Sequence, residues 1–394
     1  MAPLKSSDGR TTGKLISLWM TNILGQGIAV PFSATGGTAY EGPNSMKYHI
    51  FTPTTPAPAN SLVVPNSGTV TLLLVGGGGG GGSQHAGGGG AGTLYYRDDH
   101  PVAADTYSVT IGGGGTPGTG GHTSPTGSGG AGGNTVFGAV TVAGGGGGGA
   151  MNTVGSGGGS GGGGGMRPIS GSGRIAGGTA TGSPTHPGSP YVHAYDGGSG
   201  SDYEGSSPNA GMGGGGGGAG SVGSSTPNSV SPNGAWPAAT GAVSPTNNFG
   251  QGGNDYSVPT DFMPTDVVLG IAAEMGDPTS FLGVPIAPTF SPTPYGATLL
   301  FAGGGAGGSH NPWGNFNDNG EYPTGGGGSG SPTLPGWGSG GVGGNGGPTH
   351  PTGANNDVGH PGVNYRGGGG GGSAGAPANG GAGGHGICIV AYPI

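Results

Sequence analysis

Short apolar, β-branched runs recur along the chain at Tyr48–Phe51, Ser61–Pro65, Thr69–Val75, Tyr107–Ile111, Thr135–Val142, Ala297–Ala302 and Ile387–Tyr392. Their length and their Val, Ile, Thr and Tyr content predict β-strands. Several feed straight into glycine. Thr-Val-Thr-Leu-Leu-Leu-Val precedes seven glycines at 76–82, Tyr-Ser-Val-Thr-Ile precedes four at 112–115, and Ala-Val-Thr-Val-Ala precedes six at 144–149. A strand followed by polyglycine is thus an organised repeat. One short helix is predicted over Asp266–Met275, after the start signal Pro264-Thr265 and weakened by Gly270.

A folded polyglycine run has no side chain to bury and loses more backbone entropy on ordering than any other sequence. Its amides must still be paired. Polyproline-II geometry makes no internal hydrogen bonds and has about three residues per turn at about 3.1 Å each, so neighbouring runs must supply the partners. The expected fold class is therefore mainly β and irregular: short strands packed with a bundle of polyglycine-II helices, with very little α-helix. The structural core is expected at Gly76, Gly79, Gly82, Gly144, Gly147, Gly213, Gly216, Gly367 and Gly370. A seven-residue run would span about 22 Å.

Composition sharpens this picture. Of 394 residues, 111 are Gly and 35 Pro, while hydrophobic residues make up 30% and charged residues 6%. Such bias suggests a fibrous or disordered chain, but disorder usually comes with high net charge. The long glycine runs have no strict third-residue period, which excludes collagen, and their spread through the whole chain excludes a simple linker. A net charge of −8 with 8 Lys and Arg argues against nucleic-acid binding. The single cysteine, Cys388, excludes an intrachain disulfide, and its place between Ile387 and Ile389 predicts a small buried hydrophobe. Residues 15–32 are too interrupted by polar residues, Gly and Pro for a membrane span, and the N-terminus lacks a secretory pattern. Residues 1–45, of ordinary composition, read as an attachment segment, and residues 46–394 as the glycine-rich domain. Variable loops are expected at 183–210, 221–295 and 309–365.

Catalytic patterns fail one by one. The many Gly-x-Gly-x-x-Gly matches follow from composition, and Gly9-Arg-Thr-Thr-Gly13-Lys14-Leu15 has one residue too few and no hydroxyl for a phosphate loop. The ten His residues stand mostly beside Pro or Gly, without metal-ligand spacing. No nucleophile elbow and no paired-carboxylate site is visible, so no enzyme, cofactor or metal is expected. The aromatic loops are more informative. Tyr191, His193, Tyr195 and Tyr203 form one group, Trp236 and Phe249 a second, and Trp313, Phe316, Tyr322 and Trp337 a third, among Asp196, Asp202, Asn311, Asn315, Asn317 and Asp318. Rings beside amides and carboxylates suit sugar binding; equally, the rings can coat the flank of the bundle.

The series Tyr-His-Ile-Phe-Thr (48–52), Gly-Thr-Val-Thr-Leu-Leu-Leu-Val with its seven glycines (68–82), Gly-Gly-Gly-Gly-Ala-Gly (87–92), Thr-Tyr-Ser-Val-Thr-Ile-Gly (106–112), Gly-Gly-Asn-Thr-Val-Phe-Gly (132–138) and Gly-Gly-His-Gly-Ile-Cys-Ile-Val-Ala-Tyr (383–392) resembles the glycine-rich domain of bacteriophage tail fibre and receptor-binding proteins. Asp105 departs from it, standing where that family turns with Gly. The resemblance implies a β-rich polyglycine scaffold, a virion location and a role in host attachment. The expected partners are other virion or fibre proteins through the N-terminal segment and a glycan or outer-membrane protein of the host surface. A homotrimer fits this reading; nucleic acid and membrane insertion do not. The receptor-binding candidates are Tyr191, His193, Tyr195, Tyr203, Trp236, Trp313, Phe316, Tyr322 and Trp337. An architectural filament or capsid-decorating protein is the alternative, and an ice-binding protein a third, for which no regular Thr-x-Thr ladder is present.

Overall fold

The computed structural model describes residues 31–42, 44–53, 60–120, 127–167, 173–181, 191–201, 211–226, 250, 252–253, 256–257, 280–281, 284–285, 300–310, 345–346, 358–374 and 378–394. Among these, no helix occurs and the strands are β1 (Thr38–Glu41), β2 (Met46–Phe51), β3 (Ser61–Val64), β4 (Gly68–Val75), β5 (Leu94–Val102), β6 (Asp105–Thr110), β7 (Thr135–Phe137), β8 (Val140–Val142), β9 (Tyr191–His193), β10 (Gly211–Met212), β11 (Tyr256–Ser257), β12 (Ser280–Phe281), β13 (Val284–Pro285), β14 (Leu300–Phe301), β15 (Ser309–His310), β16 (Asn345–Gly346) and β17 (Ile387–Pro393). The predicted helix at 266–275 lies outside the described residues, as do 297–299 of the strand expected at Ala297–Ala302.

A six-stranded antiparallel sheet, β1-β2-β17-β4-β5-β9, faces a four-stranded one, β3-β6-β7-β8. Successive side chains of a strand point to opposite faces. Leu72, Leu74, Cys388, Val390, Tyr392 and Phe51 meet Leu62, Val64, Val109, Phe137 and Val142 of the second sheet. The alternate residues Leu73, Val75, Ile387, Ile389, Ala391, Tyr48 and Ile50 form a separate core with Phe301, Ala302, Ala219 and Ala91. Burial on both faces explains why β4 and β17 read as unbroken apolar runs instead of alternating ones. Strand β5 was not legible from its Arg-Asp-Asp-His-Pro. Pro101 is tolerated because β9 pairs only with Leu94–Tyr96, so the remainder of β5 is an edge on that side.

At Val75 the sheet ladders change period. Gly76, Gly79 and Gly82 donate to Thr93, Gly90 and Gly87; Gly77, Gly80 and Ser83 donate to Gly133, Gly130 and Gly127; Gly78 and Gly81 donate to Gly384 and Gly381. In return Gly77 and Gly80 accept from Gly145 and Gly148, Gly78 and Gly81 from Gly115 and Gly118, and Gly79 and Gly82 from Gly370 and Ser373. The run therefore donates to three antiparallel neighbours and accepts from three parallel ones, turning to a new neighbour at each residue. This is a polyglycine-II helix in a hexagonal bundle, with no bond inside the run. Of the expected core glycines, Gly213 and Gly216, for instance, donate to Gly308 and Gly305, whereas Gly367 (φ 66°) stands in a turn and donates to His385 O. None of the glycines at 76–82, 144–149 or 213–218 has a positive φ, so space and not backbone freedom demands them. A Cβ on Gly79 would fall on the carbonyl oxygen of Gly146, and one on Gly147 on that of Gly129.

The bundle takes in segments expected to be loops. Residues 194–200, 221–226, 250, 253 and 358–363 pair with glycine runs through backbone bonds, such as Gly164 N to Gly198 O and Gly215 N to Ser224 O. Nor do residues 31–45 stand apart. Thr35 exchanges both backbone bonds with Val63 at the edge of the four-stranded sheet, then β1 pairs with β2 at the edge of the other. The crossing is made at Gly36, φ 130°, where a Cβ would collide with the Ser61 carbonyl. Tyr392 Oη accepts from Ala34 N (2.9 Å), and His49, 1% exposed, bonds Gly36 O through Nδ1 (2.7 Å) and Tyr392 Oη through Nε2 (3.2 Å). The boundary expected at residue 45 therefore falls inside the sandwich. Ordinary composition was a poor boundary marker, since sandwich strands have it too.

Two outcomes are expected. Gly79→Ala should lower the melting temperature sharply, because each buried amide it unpairs costs about 1–3 kcal/mol. Gly113→Ala, where the nearest atom to a Cβ is His385 Nδ1 at 3.9 Å, should change it little. Desolvation lowers the His49 pKa below its ordinary 6.5, with Lys47 adding to the fall and the Gly36 bond opposing it. A depressed histidine stabilises the fold fully above pH 6.5 and withdraws that support as pH falls through the folded value. Melting temperature should therefore decline below about pH 6.5, before carboxylates protonate, and His49→Gln should flatten that part of the profile.

Candidate binding surface

The runs fix two poles. Strands β4, β6 and β8 lead outward into 76–82, 112–118 and 144–149, while 87–93, 127–133 and 380–386 lead back into β5, β7 and β17. The sandwich is one pole. At the far pole, Ser83 N donates to Gly127 O, Gly308 N to Ala86 O, Ser201 N to Met212 O, Gly307 N to Gly250 O and Gly380 N to Gly118 O. β15 joins β10 and β16 there. The flanks of 119–126, 202–210, 227–249 and 311–344 thus all sit at the far pole. Tyr203, Trp236, Trp313, Phe316, Tyr322 and Trp337 fall within these segments and lie outside the described residues. Phe32, the Thr35 bridge and Ile394 sit at the sandwich pole, where Ile394 N donates to Ser45 O.

Tyr191 and His193 occupy β9, an edge strand of the six-stranded sheet, and not a loop. Tyr191 stacks on Tyr96 at 6.2 Å and on His193 at 6.4 Å, and His193 is 3% exposed. Tyr195 is half-buried in the first turn of the bundle, its carbonyl accepting from Gly161 N. These three therefore belong to the sandwich and the start of the bundle. Cys388 is fully buried, and burial pushes its thiol pKa up, as expected of a packed hydrophobe.

Sequence reasoning missed two features. The first is the turn at the far pole, where Gln84 (φ 62°) and His85 (φ 43°) are both left-handed and buried. A chain with 111 glycines places side chains there nonetheless. Gln84 N donates to Ser373 Oγ at 2.8 Å, and Ser373 Oγ donates to Ala378 O at 2.9 Å, tying the turn to a neighbouring run.

The second is a period of three in the outer helices, in Ser128-Gly-Gly-Ala131-Gly-Gly-Asn134 and Asn379-Gly-Gly-Ala382-Gly-Gly-His385. Every third residue of an outer helix faces out, so a side chain fits only there. These side chains also cap. Asn134 Oδ1 accepts from Gly144 N (3.1 Å), Ser128 Oγ from Ala150 N (3.2 Å), Asp196 Oδ1 from Ala180 N (2.6 Å), Ser225 Oγ from Ser199 N (3.0 Å) and His385 Nδ1 from Gly114 N (3.1 Å). Each stands in for the carbonyl that another helix of the lattice would offer. Asp196, expected to read sugar hydroxyls, is engaged in this way.

Among the described residues, no group of three or more His, Cys, Asp and Glu side chains is gathered as a metal site would require. A family model described as a glycine-rich domain matches residues 54–261. No curated protein matches the chain. Tyr191→Ala should cost about 1–2 kcal/mol, because it removes a ring stacked on the sheet, and thermal melts would register the loss as a lower midpoint.

Proposed function

The chain belongs to the glycine-rich domain family, and from that premise we propose that it is a structural and adhesive component of a bacteriophage tail fibre or fibre tip. It attaches to the virion or a partner fibre through the chain preceding residue 31 and binds the host cell surface with the segments whose flanks lie at the opposite pole. The mechanism is adhesion, with no bond chemistry. One observation carries this reading: the described chain enters at the sandwich pole, while the segments holding six of the nine aromatic candidates are flanked by residues of the far pole. A bundle whose segments are cross-bonded through their backbones is a rigid support, and binding segments carried on a rigid support can bind at a lower ordering cost.

The packing of Tyr191 and His193 against the sheet favours, for those residues, the second reading, an architectural filament or capsid-decorating protein. Adsorption separates the two. Fluorescently labelled protein should bind intact cells of a host bacterium and block particle adsorption. Trp313→Ala with Trp337→Ala should reduce that binding at least tenfold at an unchanged melting temperature, while Tyr191→Ala should change stability more than binding. A protein that adsorbs to no host and grows into long fibres when pure would speak for the architectural reading.

A further inference from the structure

Among the described residues, the helix 144–149 has five hydrogen-bonded neighbours in the lattice, one fewer than the six around 76–82. It donates to 76–82 through Gly145 and Gly148 and to 160–163 through Gly146 and Gly149. It accepts from 129–132, from 87–90 and from 156–159. A polyglycine-II helix directs its amides three ways, and the third row here is Gly144, Gly147 and Ala150. Gly144 is capped by Asn134 and Ala150 by Ser128. Between them, Gly147 N has no acceptor among the described residues, although Gly147 is buried. The residue facing it in the capping row is Ala131, exposed and unable to accept. A buried amide without a partner is uncommon and costly.

We propose that this notch, floored by Gly144–Ala150 and bordered by 127–134 and 155–159, is a latent self-association site, shaped for a glycine-rich helix of a second copy of this chain and guarded in the native protein by its two caps. Two features select that occupant. The notch continues the bundle's own lattice, so its amides ask for the carbonyl spacing of another polyglycine-II helix. This chain carries such helices on its flank, with side chains only at every third position. Asn134 and Ser128 hold the notch closed by taking two of the three amides and by keeping Cβ atoms in the path. The arrangement is the three-dimensional counterpart of an edge strand protected from pairing.

Sedimentation velocity over a concentration series tests this on the full chain. Ser128→Gly with Asn134→Gly removes both caps and both Cβ atoms, and should tighten self-association at least tenfold over the parent. Ser128→Ala with Asn134→Ala removes the caps but leaves the Cβ atoms, and should lower the melting temperature without such tightening. Adding Ala131→Lys to the glycine pair should return it to the parent's behaviour. Amide-exchange protection at Gly79 and Gly90 checks the fold; if the pair loses it, Asn134→Gly alone is read in the same way. A protected glycine variant that associates no more than the parent, or association that Ala131→Lys leaves intact, would overturn the proposal.

Discussion

A buried backbone amide has to be paired, and in this protein the need is met in two dimensions at one end of the molecule and in three at the other. A strand turns its amides alternately left and right and fills a sheet. A polyglycine-II helix turns them in three directions and fills a lattice. The change happens within one residue of Val75. There the buried Thr135 hydroxyl donates to Val75 O (2.7 Å) and accepts from Gly112 N (2.9 Å), while Gly386 N donates to Gly112 O (2.9 Å). Sheets that stand a side-chain layer apart in the sandwich are thereby joined directly, backbone to backbone. At run positions such as Gly79 and Gly147 the lattice depends on the absence of a Cβ, since a side chain there would occupy the place of a neighbouring carbonyl.

The same geometry governs what was legible. Val-Thr-Leu-Leu-Leu-Val followed by glycine announced both the strand and the run that continues it, because apolar burial and close approach leave plain marks in composition. The run cores at Gly79, Gly147 and Gly216 were readable for that reason. The outer helices were not, because their glycines come in pairs and the residue between pairs varies; 128–134 and 379–385 look like low-complexity sequence until it is known that one residue in three faces solvent. Strand β9 was hidden differently. Tyr191 and His193 suggest a loop in sequence, and only the register opposite Tyr96 and Leu94 makes them part of a sheet. Candidates such as Trp313 were chosen from composition alone and lie outside the described residues, so the fold bears on them only through the position of their flanks.

The two ends also divide the chemistry. The sandwich holds the large side chains, its buried histidine and the strap of residues 34–41 that clasps both sheet edges. The bundle carries polar side chains chiefly on its flank, where Asn134, Asp196 and Ser225 finish hydrogen bonding that the lattice leaves open. A small hydrophobic sandwich and a large amide lattice thus stabilise one another through shared strands.

The last strand, β17, lies between β2 and β4 at the centre of the six-stranded sheet, and the run before it pairs with 76–82. During translation, then, the ribosome must release the chain through Pro393 before the two halves of that sheet can join. A nascent chain stopped short of Ile387 would present open strand edges to proteases and chaperones, so the cell's own quality control would tend to remove prematurely terminated copies before they reached any assembly.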